Sequence, residues 1–165
     1  MSNIITPIIM VTKNCVLNCS YCYVESKNKD IISLELVYKI LNEILEYNKS
    51  NTTIIWHGGE PLLAGIDFFY DIVNYLNKRF PNLKISHKIQ TSGILINDDW
   101  INFFKENDIG IGISLDAPKI FHDINRKTKK GENSFELIEN SISKLNNKDV
   151  KFGILTVITK HSVNS

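Results

Sequence analysis

The stretch PIIMVTKNCVLNCSYC, residues 7–22, decides how the rest of the chain is read. Its first half, Pro7 to Thr12, is apolar and β-branched and predicts a strand. Its second half places Cys15, Cys19 and Cys22, the only three cysteines of the chain, in the loop that follows. Further along, the same arrangement of strand and unusual loop recurs. Thr52–Trp56 (TTIIW) predicts a second strand, broken by His57-Gly58-Gly59-Glu60-Pro61. A third strand near Lys84–Gln90 runs into Thr91-Ser92-Gly93, and Ile109–Leu115 alternates apolar residues with Gly110, Gly112 and Ser114, the period of a fourth. A fifth spans about Phe152 to Ile158.

Amphipathic segments fill the gaps. Ser33 is expected to cap a helix carrying Leu34, Val37, Leu41, Ile44 and Leu45. Phe69, Ile72, Val73, Leu76 and Phe80 mark a second, closed by Pro81. A third opens at Asn97 with Asp98 and Asp99 in its first turn, where the helix dipole favours carboxylates. Ser134 is expected to cap a fourth, carrying Phe135, Ile138, Ile142 and Leu145. Strands separated by such helices need crossover connections and therefore form a parallel sheet, so the fold is α/β. Ligands of parallel sheets collect beyond the carboxyl ends of the strands. The cysteines, Gly58-Gly59-Glu60-Pro61, Gln90-Thr91-Ser92-Gly93 and Ser114-Leu115-Asp116 all fall there, at one mouth.

The bulk properties narrow the function class. The 165 residues suffice for one domain with a real core, and 43% hydrophobic with 22% charged residues is ordinary for a globular chain. A net charge of +1 argues against a nucleic-acid partner. The dense basic run Arg126 to Lys130 (RKTKK) reads as a solvated loop. No stretch is long and apolar enough to span a membrane, and Met1–Met10 lacks the basic start of a signal peptide, so a cytoplasmic location is expected.

The cysteine spacing is C-x₃-C-x₂-C. Thiolates are soft ligands for iron–sulfur clusters or zinc. Structural zinc takes four ligands, and the histidines that could complete it (His57, His87, His122, His161) are far away in sequence with no paired spacing. Three thiolates on a [4Fe–4S] cluster leave one iron open, which suits a cluster that must chelate a cofactor. Two glycines after a strand permit positive φ or close approach of a ligand, Glu60 offers an acceptor at the sheet mouth, and Pro61 stiffens the exit.

The cysteine loop, with an aromatic residue before its last cysteine, resembles that of the radical S-adenosylmethionine (SAM) superfamily. Gly58-Gly59-Glu60 is similar to that family's GGE motif, which engages the SAM amino group. Gln90-Thr91-Ser92-Gly93 and Ile113-Ser114-Leu115-Asp116-Ala117-Pro118 are similar to the Q-T-N-G and I-S-L-D-G-P of anaerobic sulfatase-maturating enzymes and SPASM-type peptide maturases. His122-Asp123, Arg126 and Gly131…Ser134-Phe135 follow in step. The resemblance implies a [4Fe–4S] cluster on Cys15, Cys19 and Cys22, with SAM held by Tyr21 at its adenosine, Gly58, Gly59 and Glu60 at its amino group, and Ser114 and Arg126 at its carboxylate.

The resemblance further implies a partial (β/α)6 TIM-like barrel, truncated after about five strands, with residues 1–165 forming the radical SAM core. The C-terminal part of the barrel, the SPASM region and the catalytic acid–base residues are expected to lie outside this chain. The activity implied is reductive cleavage of SAM to a 5′-deoxyadenosyl radical that takes hydrogen from a protein or peptide. A flavodoxin- or ferredoxin-type protein would supply the electron. Some relatives carry a leader-peptide-binding domain before the barrel; only a few residues precede strand one, which favours a maturase-like member. The rival readings are a non-catalytic zinc or redox module, and a degenerate remnant that binds a cluster without turnover. Two departures stand out. Ser92 replaces asparagine, and Ala117 replaces glycine at an expected cost of about 1 kcal/mol if φ there is positive.

Overall fold

A computed structural model describes residues 5–24, 30–48 and 51–163. Its five-stranded sheet is formed by β1 (Ile8–Thr12), β3 (Thr52–Gly58), β4 (Ile85–Thr91), β5 (Gly110–Ser114) and β7 (Phe152–Leu155), adjacent in that order. All four pairings are parallel. Each strand therefore lies beside its predecessor in the sheet, the winding of a barrel rather than of a sheet that reverses direction. Helices α1 (Leu34–Asn48), α2 (Ile66–Arg79), α3 (Asp98–Glu106) and α5 (Phe135–Asn147) make the crossovers.

The strands alternate. In β3, Thr52, Ile54 and Trp56 are buried while Thr53 and Ile55 are only partly covered. The buried set meets the helices: Ile9, Val11, Ile54, Trp56, Ile89, Ile111 and Ile113 pack against Val37, Leu41, Phe69, Ile72, Phe103 and Leu145. Each such side chain contributes roughly 1.5–3 kcal/mol of transfer free energy. Trp100, Phe103 and Phe104 make α3 the aromatic centre of this layer, with Trp100 edge-on to Phe69 at 5.7 Å between centroids. The opposite face is open, with Ile8 67% and Ile154 54% exposed.

Local signals account for most helix starts. The Asn97 side chain accepts from the Trp100 amide at 3.0 Å, and Ser33 Oγ accepts from the Leu36 amide at 3.2 Å, which satisfies amide groups that a helix end leaves unpaired. Ser134 does not cap α5 with its side chain, contrary to expectation. Asp123 does so from a distance, accepting from the Ser134 and Phe135 amides at 3.2 and 3.1 Å. The Ser134 hydroxyl turns inward and donates to the Arg126 carbonyl at 2.5 Å.

Several short elements lie outside the sequence-based expectation. The cysteine loop contains a short strand, β2 (Leu17–Cys19), antiparallel to β6 (Arg126–Thr128), with Cys19 opposite Arg126 and Leu17 opposite Thr128. Helix α4 (Lys119–Asn125) precedes β6. The basic run is thus not a free loop: its first three residues are paired to the cysteine segment, and Arg126 is buried. Ala117 escapes its expected strain, because the non-glycine residues with positive φ among the described ones are Asp108 and Asp149. Among the described residues no helix is long and apolar enough to cross a membrane. A short α6 (Lys160–Val163) follows β7.

Candidate functional site

The carboxyl ends of the strands enclose a cavity of about 290 Å³. Cys15, Cys19, Cys22 and Tyr21 form one wall, Gly58 and Gly59 a second, and Ser114 and Arg126 a third. The structure therefore brings together every site residue expected from the sequence except the Glu60 side chain, which does not line the cavity.

The glycine pair is needed chiefly for the chain's own backbone. The Gly59 amide donates to the Thr12 carbonyl at 2.7 Å and the Glu60 amide to the Asn14 carbonyl at 2.8 Å. A Cβ on Gly59 would stand 2.1 Å from the Asn14 carbonyl oxygen, and one on Gly58, at φ +126°, would stand 2.5 Å from that of Thr12. Only glycine lets the cysteine segment lie this close to the end of β3.

Glu60 is fully buried and does not line the cavity, but its carboxylate is bound by Thr91 and Ser92, which do. One carboxylate oxygen accepts from the Thr91 hydroxyl at 2.7 Å and the Leu62 amide at 3.2 Å. The other accepts from the Ser92 amide at 2.9 Å and the Ser92 hydroxyl at 2.5 Å. The side chain thus ties the β3 turn to the β4 turn. Serine at position 92 is explained by this contact, since its hydroxyl is a ready donor to the carboxylate.

Asp116, quoted in the sequence motif but not assigned a role there, proves to be the hub of the third wall. Its carboxylate accepts from Tyr21 Oη at 2.5 Å, from Arg126 Nη2 at 3.1 Å and from the Val157 amide at 3.0 Å. Arg126 Nε lies 3.0 Å from the same carboxylate, and the guanidinium sits over the Tyr21 ring at 5.4 Å. Burial pushes the Asp116 carboxyl up, but the hydrogen bonds from Arg126, Tyr21 and the Val157 amide outweigh it and hold the group below its ordinary range. Burial also raises the Tyr21 hydroxyl, and its bond to Asp116 adds to that, so Tyr21 stays protonated.

Behind the hub, His122 Nδ1 accepts from the Asp116 amide at 3.2 Å. Its Nε2 therefore carries the proton and meets Ser134 Oγ at 2.9 Å, and Ser134 in turn donates to the Arg126 carbonyl. A buried chain of hydrogen bonds thus fixes both ends of the Asp116–Arg126 pair. His122-Asp123 and Ser134-Phe135 are framework, not ligands.

Ser114 accepts from Gln90 Nε2 at 3.0 Å, which leaves its own proton to donate. His57 also lines the cavity, with Nδ1 facing the Gly58 amide at 2.6 Å. Its place near the carboxyl end of β3, rather than any zinc-ligand spacing, brings it to the cavity.

The three thiols share one wall of the cavity, and as soft ligands they suit the iron–sulfur cluster that the radical SAM family uses. Burial pushes the Cys15 thiol up to about 11, against the Leu17 amide, which donates to its sulfur at 3.4 Å. Burial also raises Cys19, and the nearby Arg126 opposes it. Iron would supply the positive charge needed to hold these groups as thiolates.

The family model of the radical SAM superfamily matches residues 9–164. The chain belongs to the radical SAM superfamily. Within that superfamily it is 37% identical, over 159 residues, to a cysteine-type anaerobic sulfatase-maturating enzyme of Clostridium novyi. The alignment covers 92% of this chain and 42% of the relative. A serine-type counterpart from Bacteroides thetaiotaomicron is 34% identical over 152 residues, covering 87% of this chain and 37% of the relative. The chain thus spans about two fifths of the length of these radical SAM relatives. The solved structure of native anSMEcpe with bound AdoMet and Kp18Cys peptide superimposes with a TM-score of 0.88 at 32% identity, covering 95% of this chain and 44% of that one. Streptococcus suis SuiB bound to its precursor peptide SuiA shares the fold, with a TM-score of 0.72 at 18% identity, covering 97% of this chain and 34% of that one. The expected α/β fold with a partial radical SAM barrel is borne out.

Proposed function

We propose that residues 1–165 are the core of a cytoplasmic radical SAM enzyme that modifies a protein or peptide in the manner of a sulfatase maturase. The observation that carries this reading is the cavity shared by the three cysteines, the glycine turn and the Ser114–Arg126 wall, in a chain matching the family from residue 9 to 164. Cys15, Cys19 and Cys22 would hold a [4Fe–4S] cluster. When bound, the cluster and SAM supply one-electron cleavage of the sulfonium and so a 5′-deoxyadenosyl radical for hydrogen abstraction.

The chain's own residues bind and orient. The Ser114 hydroxyl and the Arg126 donors not taken by Asp116 suit the SAM carboxylate. Tyr21 offers a ring face to the adenosine, immobilised by Asp116 and Arg126. At the amino group, the backbone of Gly58 and Gly59 replaces the Glu60 carboxylate, whose role is to lock the turn. Leu155 and Val157 add apolar lining to the cavity. The anSMEcpe structure holds a peptide, which supports a peptide substrate for this chain too.

The test is anaerobic reconstitution with iron and sulfide, reduction, and chromatography of the nucleoside products. SAM-dependent formation of 5′-deoxyadenosine, abolished in Cys19→Ala, is expected. Stoichiometric zinc without iron would favour the rival metal module, and a SAM-binding cluster without 5′-deoxyadenosine would favour the degenerate remnant. Either result would overturn the proposal.

A further inference from the structure

In β5, Ile111 and Ile113 are buried against the helices, and Gly110, Gly112 and Ser114 make the opposite face. Gly112 is not required there by its own backbone. The glycines with positive φ among the described residues are Gly58, Gly65, Gly93 and Gly131. Nor does Gly112 line the cofactor cavity. Its neighbour in the parallel register of β4 and β5 is Gln90. A Cβ on Gly112 would stand 2.2 Å from Gln90 Oε1, 3.1 Å from the amide carbon and 3.5 Å from Nε2. The missing side chain is therefore replaced by one particular amide.

With that space free, the Gln90 amide lies across Gly112 and reaches the residue two places further along β5. There Nε2 donates to Ser114 Oγ at 3.0 Å. Gln90 and Ser114 both line the cavity. A hydroxyl has one proton and two lone pairs, so an oxygen that accepts from Gln90 keeps its proton for another partner. A glutamine spans this diagonal with a donor at its tip. Asparagine would be one methylene shorter, and glutamate would take the Ser114 proton for itself.

We propose that Gln90 is a positioning residue for SAM: its amide holds the Ser114 hydroxyl so that the proton faces the SAM carboxylate, and Gly112 is glycine to admit that amide. The inference rests on the function proposed above and deepens its binding step, in which no bond is made or broken. A hydroxyl already fixed by a donor loses little freedom when the carboxylate arrives, and it needs no reorientation. The rival reading is that Gln90 touches the ligand itself. Its loss would then add to that of Ser114.

The experiment is calorimetry of SAM binding to the iron-loaded protein as double-mutant cycles, with urea unfolding of the cluster-free protein beside it. Ser114→Ala is expected to weaken SAM binding by roughly tenfold or more, the scale of one hydrogen bond to a charged group. Gln90→Ala should weaken it by roughly fivefold, and Gly112→Ala by the same factor, because the new methyl displaces the amide. Combining any two of the three should cause no loss beyond the larger single one, because all act through one hydroxyl. Gly110→Ala is the control: its Cβ would approach Lys88 Cγ at 3.0 Å, outside the cavity, and SAM affinity should not change. Urea midpoints of Gln90→Ala and Gly112→Ala should stay within roughly 1 M of the unaltered protein, since the amide ends a flexible side chain and can swing aside.

Additive losses in the Gln90–Ser114 cycle would overturn the inference, because Gln90 would then act on the ligand directly. So would a Gly112→Ala protein that binds SAM normally, or one that loses affinity only in step with its iron content. If Gly112→Ala fails to fold, Gln90→Ala in the same chain must restore folding, since no amide is left to collide; continued failure would overturn the role given to the glycine. Failure of the proposed function is seen separately, as an unaltered iron-loaded protein that binds no SAM, and removes the basis of the inference with it.

Discussion

Asp116→Asn removes one charge from a buried pair while preserving side-chain volume. In the native protein the carboxylate takes hydrogen bonds from Tyr21, Arg126 and the Val157 amide, and Arg126 Nε stands 3.0 Å away. The side chains of Arg126 and Asp116 are 7% and 3% exposed, so the cation left behind has little water to turn to. Breaking one partner of a buried pair costs about 3–5 kcal/mol. An asparagine that still accepts from Val157 and one other donor puts the loss near the lower figure, about 3 kcal/mol. The assay is urea unfolding of the cluster-free protein, as a double-mutant cycle with Arg126→Met. The double variant should recover at least half of the single variant's loss, because no uncompensated charge remains. Additive losses in Asp116→Asn, Arg126→Met and the double variant would refute the coupling on which the third wall rests.

Glu60→Gln should lower stability by about 2 kcal/mol, since the amide nitrogen faces donors where the carboxylate accepted. SAM affinity of the folded variant, measured by calorimetry, should stay within about threefold, since the native carboxylate does not line the cavity. In Gly59→Ala the Cβ would sit 2.1 Å from the Asn14 carbonyl oxygen, so the cysteine segment must shift. Iron content after reconstitution should drop below that of the unaltered protein. His87, which accepts from Trp56 Nε1 at 3.1 Å, is pushed down to about 4 by burial. Between that value and its ordinary 6.5 the unfolded chain binds more protons, so stability falls as pH drops through this window, by about 2 kcal/mol from pH 7 to pH 5. His87→Asn, which keeps an acceptor for Trp56, should flatten that part of the pH profile of urea midpoints.

The parallel sheet and its helices were legible because apolar periodicity is a local signal, and Asn97 and Ser33 announced their helices by side-chain chemistry. The cysteines and glycines were legible because their residue types are rare and their spacing is strict. The β2–β6 ribbon was not, since three-residue strands carry no measurable period and their pairing spans more than a hundred positions. The same long-range pairing hid the burial of Arg126 within a run that reads as solvated. Sequence places Glu60 at a turn but does not say where its carboxylate finds partners, so its burial against Thr91 and Ser92 was not legible. Ser134 failed as a cap for a similar reason: Asp123, eleven residues earlier, supplies the acceptor, and the serine hydroxyl is taken by the Arg126 carbonyl. Asp116 lacked an assigned role because its three partners come from separate parts of the chain.

The most direct measurement is Mössbauer and electron paramagnetic resonance spectroscopy of the oxygen-free, iron-loaded protein with and without SAM. The account predicts one four-iron cluster in which a single iron is distinct, with a signal that changes on adding SAM and does so less in Ser114→Ala. A protein that takes up no four-iron cluster, or one whose spectrum ignores SAM, would contradict it.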